Sequence, residues 1–371
     1  VALVMADPHF LTAELLEAAD ARGVRSIALV ASGADRQHAA RLGLHETVDV
    51  SAPWAEIEDL LRGVTPTPPR STGRGRLITV WGPSGAPGRT TVAITLAAEL
   101  AAVGRRVLLV DMDTHAASVA PALGILDESP GFAAACRLAG SDSLTLAELD
   151  RIAQYAGTPA GSFRVLSGIG RPSRWPELTA ERMSRTLEVC RGWADIVIAD
   201  VASNLENDEE ITSDLFAPRR NAATLTALAA ADRVVAVGSA DPVGLSRLLR
   251  TYPDMLGVTT AAESPIVVMN KVRPSAIGMN PGGQVSQSLA RFGGIHSPVM
   301  VPHDLAGFDA ALLAGTTLTE VSPRSPARMV LRDLAARLVP TEQPLRRPRR
   351  QRALRSSRRG VQLTLRGVDP Q

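Results

Sequence analysis

Aromatic side chains are scarce. Phe, Trp and Tyr together make up 3% of the 371 residues. A core so poor in rings must rest on Ala, Val, Leu and Ile, a composition that suits helices packed on a parallel sheet. Two cysteines, Cys136 and Cys190, exclude a disulfide framework. Neither has metal-ligand spacing, so a reducing, cytoplasmic setting is expected. No apolar run reaches the ~18 residues that would suggest a membrane span. Lysine is almost missing: Lys271 is the only one. The basic charge is therefore nearly all arginine, and an Arg where another protein carries Lys is weak evidence of lost function. No secretory leader is read, and because the sequence opens on Val1 rather than Met, its true start is expected further upstream.

The 45% hydrophobic and 21% charged content are those of a soluble globular protein large enough for two domains. Net charge is +2 but unevenly spread. Residues 341–371 carry nine arginines, from Arg346 to Arg366, against Glu342 and Asp369, which leaves the body mildly acidic. Residues 1–63 alternate strand and helix in three βα units, with helices expected at 11–22, 34–42 and 54–62. A Pro-Gly-Arg segment, "TPTPPRSTGRGR", makes 64–76 a linker. From 77 to 340 the βα rhythm is stronger. Short Val/Ile/Leu-rich strands are expected at 77–81, 106–111, 163–167, 195–200, 233–238, 265–270 and 298–301. Helices are expected at 90–102, 176–193, 221–231, 244–256, 283–292, 305–314 and 326–339. The fold class is α/β, a mostly parallel sheet with helices on both faces, preceded by a partial flavodoxin-like unit. The tail, 341–371, reads as basic and disordered.

"GPSGAPGRTT" (82–91) joins the first of these strands to its helix. Small residues there let backbone N–H groups approach a phosphate, and a helix N-terminus adds its dipole. Gly85 and Gly88 fit such a loop, and Thr90 fits the hydroxyl that holds Mg²⁺. The strict phosphate-loop pattern fails twice, with Pro83 for its first Gly and Arg89 for its Lys. Taken alone, the stretch also reads as a Gly-Pro turn. Other strands end in Asp111 and Asp113, in Asp200, in Asn270, and in Pro302 and Asp304. Polar residues at four strand ends, with a Gly-rich loop at a fifth, point to a ligand site at the carboxyl edge of the sheet.

These motifs resemble the MinD/ParA-type P-loop ATPases, and among them the CpaE-like (TadZ-like) branch, in which a receiver-like domain precedes the ATPase. The resemblance spans roughly 77–339, and 1–63 look like the second half of that receiver-like domain. It implies ATP and Mg²⁺ as ligands. The family loop falls on Ser84, Gly85, Ala86, Pro87, Gly88, Arg89, Thr90 and Thr91. By resemblance Asp113 orients the attacking water with Arg89 on the phosphates, Asp111 supports the Mg²⁺ shell, and Asp200 is the Walker B carboxylate. Asn270 contacts the base, and Pro302 and Asp304 flank it. In the family the region of Glu206–Glu210 is a nucleotide-state switch; here it reads equally as a solvated acidic loop.

The sequence departs from the family at three loop positions. Ser84 stands where the family carries a lysine that reaches across a dimer, and Arg219 or Arg220 is one candidate for the missing charge. Arg89 replaces an ammonium by a planar fork. Pro87 has no N–H to offer. Hydrolysis is thereby left open. The resemblance implies a nucleotide-dependent homodimer that positions or assembles a protein partner at a septum, pilus, secretion or partitioning apparatus. The rival readings are a non-hydrolysing nucleotide-binding scaffold and a carboxylate-activating ligase, whose second pocket is not found. Asp7 stands where a receiver carries its phosphoacceptor, but no partner acid pair or lysine accompanies it, so a pseudo-receiver for docking is expected. Trp81 is expected in the core and Trp175 as a candidate partner contact. His38, His45, His115, His296 and His303 do not cluster. The Arg-rich tail is a candidate for non-specific DNA or anionic-lipid contact, which would place the protein peripherally at a membrane.

Overall fold

The structure, a computed structural model, describes residues 74–85, 87–125, 130–157, 161–207 and 218–339, and within the first 51 residues three strands with scattered neighbouring positions. Asp7, Ala86, residues 208–210 of the acidic run, most of the linker and the whole tail lie outside the described residues, as do most or all of the three helices expected before residue 63.

Strands β1 (Ala2–Met5), β2 (Arg25–Val30) and β3 (Thr47–Asp49) form a parallel sheet in that order. Ile27, Ala28, Val30 and Val48 are buried in it. This matches the strand half of the expected βα rhythm.

A second sheet holds eight strands: β4 (Arg76–Trp81), β5 (Val107–Met112), β6 (Gln154–Ala156), β7 (Phe163–Leu166), β8 (Ile196–Val201), β9 (Arg233–Ser239), β10 (Ile266–Val272) and β11 (Val299–Pro302). Their spatial order is β11-β10-β9-β4-β8-β5-β7-β6, parallel throughout except for β6. Every residue of β5 and β8 is buried. Alternation survives inside that burial because successive side chains point to opposite faces. Leu77, Trp81, Val197 and Ala199 enter one core, and Ile78, Val80, Ile196 and Ile198 enter the other.

The helices divide accordingly. Among the described residues, those of seven residues or more are, in chain order, α1 (Arg89–Ala102), α2 (Gly131–Gly140), α3 (Leu146–Ile152), α4 (Ala180–Trp193), α5 (Ala222–Ala230), α6 (Pro242–Val258), α7 (Pro281–Gly293), α8 (Leu305–Ala314) and α9 (Pro326–Leu338). The first core is closed by Phe132 of α2, Leu187 of α4, Leu228 of α5, Leu248 of α6 and Leu289 of α7. The second is closed by Leu96 and Leu100 of α1 and by Leu331 and Leu334 of α9. Trp81 lies in the first core, fully buried, with its indole N–H donating to the Ser203 carbonyl.

Several elements depart from expectation. Helices α2 and α3 and strand β6 were not foreseen between 111 and 163. The α2 sequence, "GFAAACRLAG", is short and opens on Gly directly after Pro130, a pair that reads as a turn. The helix expected from 176 begins instead at Ala180, where the Thr179 hydroxyl caps the Arg182 N–H. Pro172–Glu177 form a separate 3₁₀ turn, and Trp175 packs against the core.

One charged pair holds the C-terminal helix to the site helix. Glu99 of α1 is 2% exposed, and its carboxylate accepts from Arg328 Nε at 2.6 Å and from the Thr319 hydroxyl at 2.8 Å. Removing one partner of a buried pair strands the other charge, at about 3–5 kcal/mol. Arg328→Ala is therefore expected to destabilise the protein by that amount, read as a lower denaturation midpoint. Glu99→Gln with Arg328→Ala should recover part of the loss.

Candidate functional site

Because their neighbours run parallel, β4, β5, β8, β10 and β11 all end at the same edge of the sheet, and the loops leaving them converge there. The loop after β4 is held close to the sheet. A Cβ on Gly82 would lie 2.2 Å from the Val237 carbonyl oxygen of β9. Gly85 and Gly88 adopt φ of 100° and 96°, a region that glycine enters without a Cβ penalty. Gly88 is the N-cap of α1, and no side chain caps that terminus. The first amides of α1 are thus the open donors of a helix start, the arrangement that favours an anion.

Pro87 turns inward. It is buried, and its carbonyl accepts from Asn270 Nδ2 at 2.9 Å. Asn270 Oδ1 in turn accepts the Lys271 N–H. Both ends of the Asn270 amide thus bond backbone, and the residue clamps the loop to β10. The Arg89 guanidinium folds back across the loop, donating from Nη1 to the Gly82 carbonyl at 2.9 Å and from Nη2 to Asp113 Oδ2 at 3.2 Å. The Thr90 hydroxyl donates to Asp200 Oδ2 at 2.5 Å.

The three aspartates have different surroundings. Asp111 is buried, and its oxygens accept from the Asp113, Ser118 and Val119 amides. Its carboxylate therefore shapes the turn after β5 instead of facing the cleft. Asp113 uses Oδ1 to accept the His115 and Ala116 amides, leaving Oδ2 for Arg89. Asp200 is 1% exposed, and its Oδ1 has no hydrogen-bond partner among the described residues. Burial, reinforced by the nearby Asp111 charge and only partly offset by Thr90 and Arg89, pushes the Asp200 carboxyl from its ordinary 3.8 up to about 8. Burial also raises Asp111, although its backbone N–H donors pull it down.

Beside the loop opens a cavity of about 620 Å³. Gly88, Arg89, Thr90, Thr91 and Asp113 form its polar end, Asn270, Lys271, His303 and Asp304 one side, and Ile94, Phe308 and Leu312 an apolar floor. Asp304 is engaged with the Gly307 amide and the Ser325 hydroxyl. Pro302 closes β11 and does not line the cavity. The Arg219 side chain bonds Asn207, and Arg220 offers its carbonyl to Thr114.

Lys271, with φ of 60°, was not singled out as a site residue, although its being the only lysine was a signal. The contact at 3.1 Å between His115 Nε2 and Asn221 Oδ1, which ties the loop after β5 to the start of α5, had no sequence signal. Both cysteines are buried with their thiol pKa values raised by that burial, which makes them inert packing groups. Among the described residues no helix is long and apolar enough to cross a membrane.

Such an edge can hold a polyphosphate on the amides of α1 and a divalent cation beside Thr90 and Asp200. Residues 78–301 match the CobQ/CobB/MinD/ParA nucleotide binding domain family. The chain belongs to that family. Solved structures with the same fold agree. The ParA family ATPase of Chlorobium tepidum TLS is 17% identical, with a TM-score of 0.59, covering 71% of this chain and 99% of that one. The septum site-determining protein MinD of Pyrococcus horikoshii OT3, complexed with Mg-ADP, is 17% identical, with a TM-score of 0.55 and coverage of 71% and 95%. A chain of the MinC:MinD cell division protein complex of Aquifex aeolicus is 15% identical, with a TM-score of 0.53 and coverage of 72% and 99%. No curated protein matches the sequence. Within this CobQ/CobB/MinD/ParA-type domain, the 82–91 loop is the segment that opens α1.

Mg²⁺, which the family implies, fits the donors present. Asp200 Oδ1 is a buried carboxylate oxygen without a partner among the described residues, next to a hydroxyl, and Mg²⁺ takes hard oxygen ligands.

Proposed function

We propose that the protein is an ATP- and Mg²⁺-binding ATPase of the MinD/ParA kind, acting as a nucleotide-dependent positioning or assembly factor. The observation that carries this reading is the unpartnered Asp200 Oδ1 beside the Thr90 hydroxyl, at the head of a helix whose first amides lack a side-chain cap. Thr90 and Asp200 hold the cation, which supplies charge neutralisation to the phosphates when bound. The amides of α1 and the Arg89 guanidinium hold the polyphosphate, and Asp113 orients the attacking water. Asp111 and Asn270 act at one remove, fixing the turn after β5 and the loop. The nucleoside occupies the cavity beside Lys271, His303, Asp304 and Phe308.

The wider assignment follows the similar proteins. The Pyrococcus horikoshii MinD is complexed with Mg-ADP, and the Aquifex aeolicus MinD with MinC. By analogy this chain forms a nucleotide-dependent homodimer that docks a protein partner. Residues 1–63 form a receiver-like unit of the CpaE-like branch, supported by three parallel strands. Residues 64–76 form a linker, 77–340 the ATPase, and 341–371 a tail that contacts polyanions from a cytoplasmic or membrane-peripheral position.

A second reading, a scaffold that binds nucleotide without turnover, is favoured by one observation: Arg89 is spent on Gly82 and Asp113. ATP turnover by the wild type and by Asp113→Ala separates the two. The ATPase reading expects a wild-type rate at least ~100-fold above the variant, the lower end of the range for a positioned acid–base group. Equal rates leave only the scaffold.

A further inference from the structure

A second cation stands at the loop besides Arg89. Arg247 lies on the second turn of α6, and its Nη1 donates to the Ser84 carbonyl at 3.4 Å. A Cβ on Gly85 would lie 2.0 Å from that same Nη1, so the guanidinium occupies space that only a glycine leaves open. Its position is set by the start of α6. Asp241 caps the Gly244 amide, and Gly244 sits so close to β9 that a Cβ there would lie 2.5 Å from the Ser239 carbonyl oxygen. Leu248, the next residue, is fully buried. The helix therefore delivers Arg247 to the loop edge from a fixed base.

The two arginines are held differently. Both Nη groups of Arg89 are engaged, one by a carbonyl and one by a carboxylate, and the side chain is largely buried. Arg247 is exposed and has one long hydrogen bond to a neutral carbonyl, with no carboxylate partner among the described residues. A phosphate oxygen is a stronger acceptor than a carbonyl, and a guanidinium fork matches phosphate geometry. We propose that Arg247 leaves the Ser84 carbonyl for the terminal phosphate of a nucleoside triphosphate held by its own loop, and so makes the site prefer triphosphate over diphosphate. This rests on the nucleotide-binding reading above and assigns a residue that the loop motif does not contain.

The test is calorimetric titration of the full chain, in Mg²⁺, with a non-hydrolysable ATP analogue and with ADP. Wild type, Arg247→Ala and Arg247→Lys are compared, with melting temperatures as the folding control. Arg247→Ala is expected to weaken the triphosphate analogue by about tenfold to a hundredfold, the range of a lost charged hydrogen bond, and to leave ADP within about twofold. Arg247→Lys, which keeps the charge without the fork, should fall between. An equal loss for both nucleotides would make Arg247 a prop for the loop and overturn the proposal, as would no change for either. If the wild type binds neither nucleotide, the reading of the site falls and this inference with it. Wild-type binding with an unchanged ratio in Arg247→Ala removes the inference alone.

Discussion

Asp200→Asn should make the nucleotide-free protein more stable at pH 8 while abolishing the extra stability that ATP with Mg²⁺ gives the wild type. The sign follows from linkage. An Asp200 carboxyl whose folded value lies near 8, against 3.8 unfolded, keeps its proton in the folded state after the unfolded chain has lost it. Across that window the folded protein binds more protons, so its contribution to stability is full below 3.8 and falls as pH rises towards 8. For one such group the fall is at most ~1.4 kcal/mol per pH unit. An amide does not titrate, so the advantage of the variant over the wild type should be larger at pH 8 than at pH 5. The same change removes the carboxylate oxygen proposed to hold Mg²⁺. Thermal melts at both pH values, with and without Mg-ATP, read all of this. A variant that is no more stable at pH 8, or that keeps its Mg-ATP shift, contradicts the role given to Asp200.

Gly88→Ala is expected to lower stability and to remove nucleotide binding together. At φ 96° and ψ 32° an alanine carries backbone strain of roughly 1–3 kcal/mol. Its Cβ would also lie 2.4 Å from Asn270 Nδ2, a separation that real atoms do not keep. Either the Asn270 bond to the Pro87 carbonyl breaks or α1 shifts away from the loop. Both outcomes misplace the amides that face the phosphates, and a loss of about 3 kcal/mol corresponds to roughly a hundredfold in affinity. Gly88→Ala with Asn270→Ala relieves the clash but not the strained φ, so it should recover stability only in part. A single variant with unchanged melting temperature and unchanged ATP affinity would show that the loop is not held as described.

Much of this was legible in the sequence because it depends on local pattern. Strands β4, β5, β8, β9 and β10 are short Val/Ile/Leu runs between helices, and buried parallel strands leave that signature. Asp113 and Asp200 stand out because strand ends of a parallel sheet share one edge, and Thr90 because it follows the basic residue of a phosphate-loop pattern. Periodicity could not reveal which way each polar group turns. Asn270, read from the resemblance as a base contact, also bonds the Pro87 carbonyl and the Lys271 amide. Asp111, which the resemblance makes a support of the Mg²⁺ shell, also accepts three backbone amides. Arg247, 163 positions from Ser84, had no motif to announce it. Arg219 and Arg220 are sequence-plausible candidates for the charge missing from Ser84, and Arg247 is a further cation beside that residue. Helix α2 is short and follows Pro130-Gly131, a pair that reads as a turn and hides the helix behind it.

The central claim is that the turn from β4 into α1 cradles a polyphosphate whose cation sits between Thr90 and Asp200. Isothermal titration of the wild-type protein with ATP, once in Mg²⁺ and once in excess EDTA, tests it most directly. The account predicts saturable binding in Mg²⁺ that is at least about tenfold weaker in EDTA, a difference of ~1.4 kcal/mol. Equal affinity in the two buffers, or no heat in either, would contradict it.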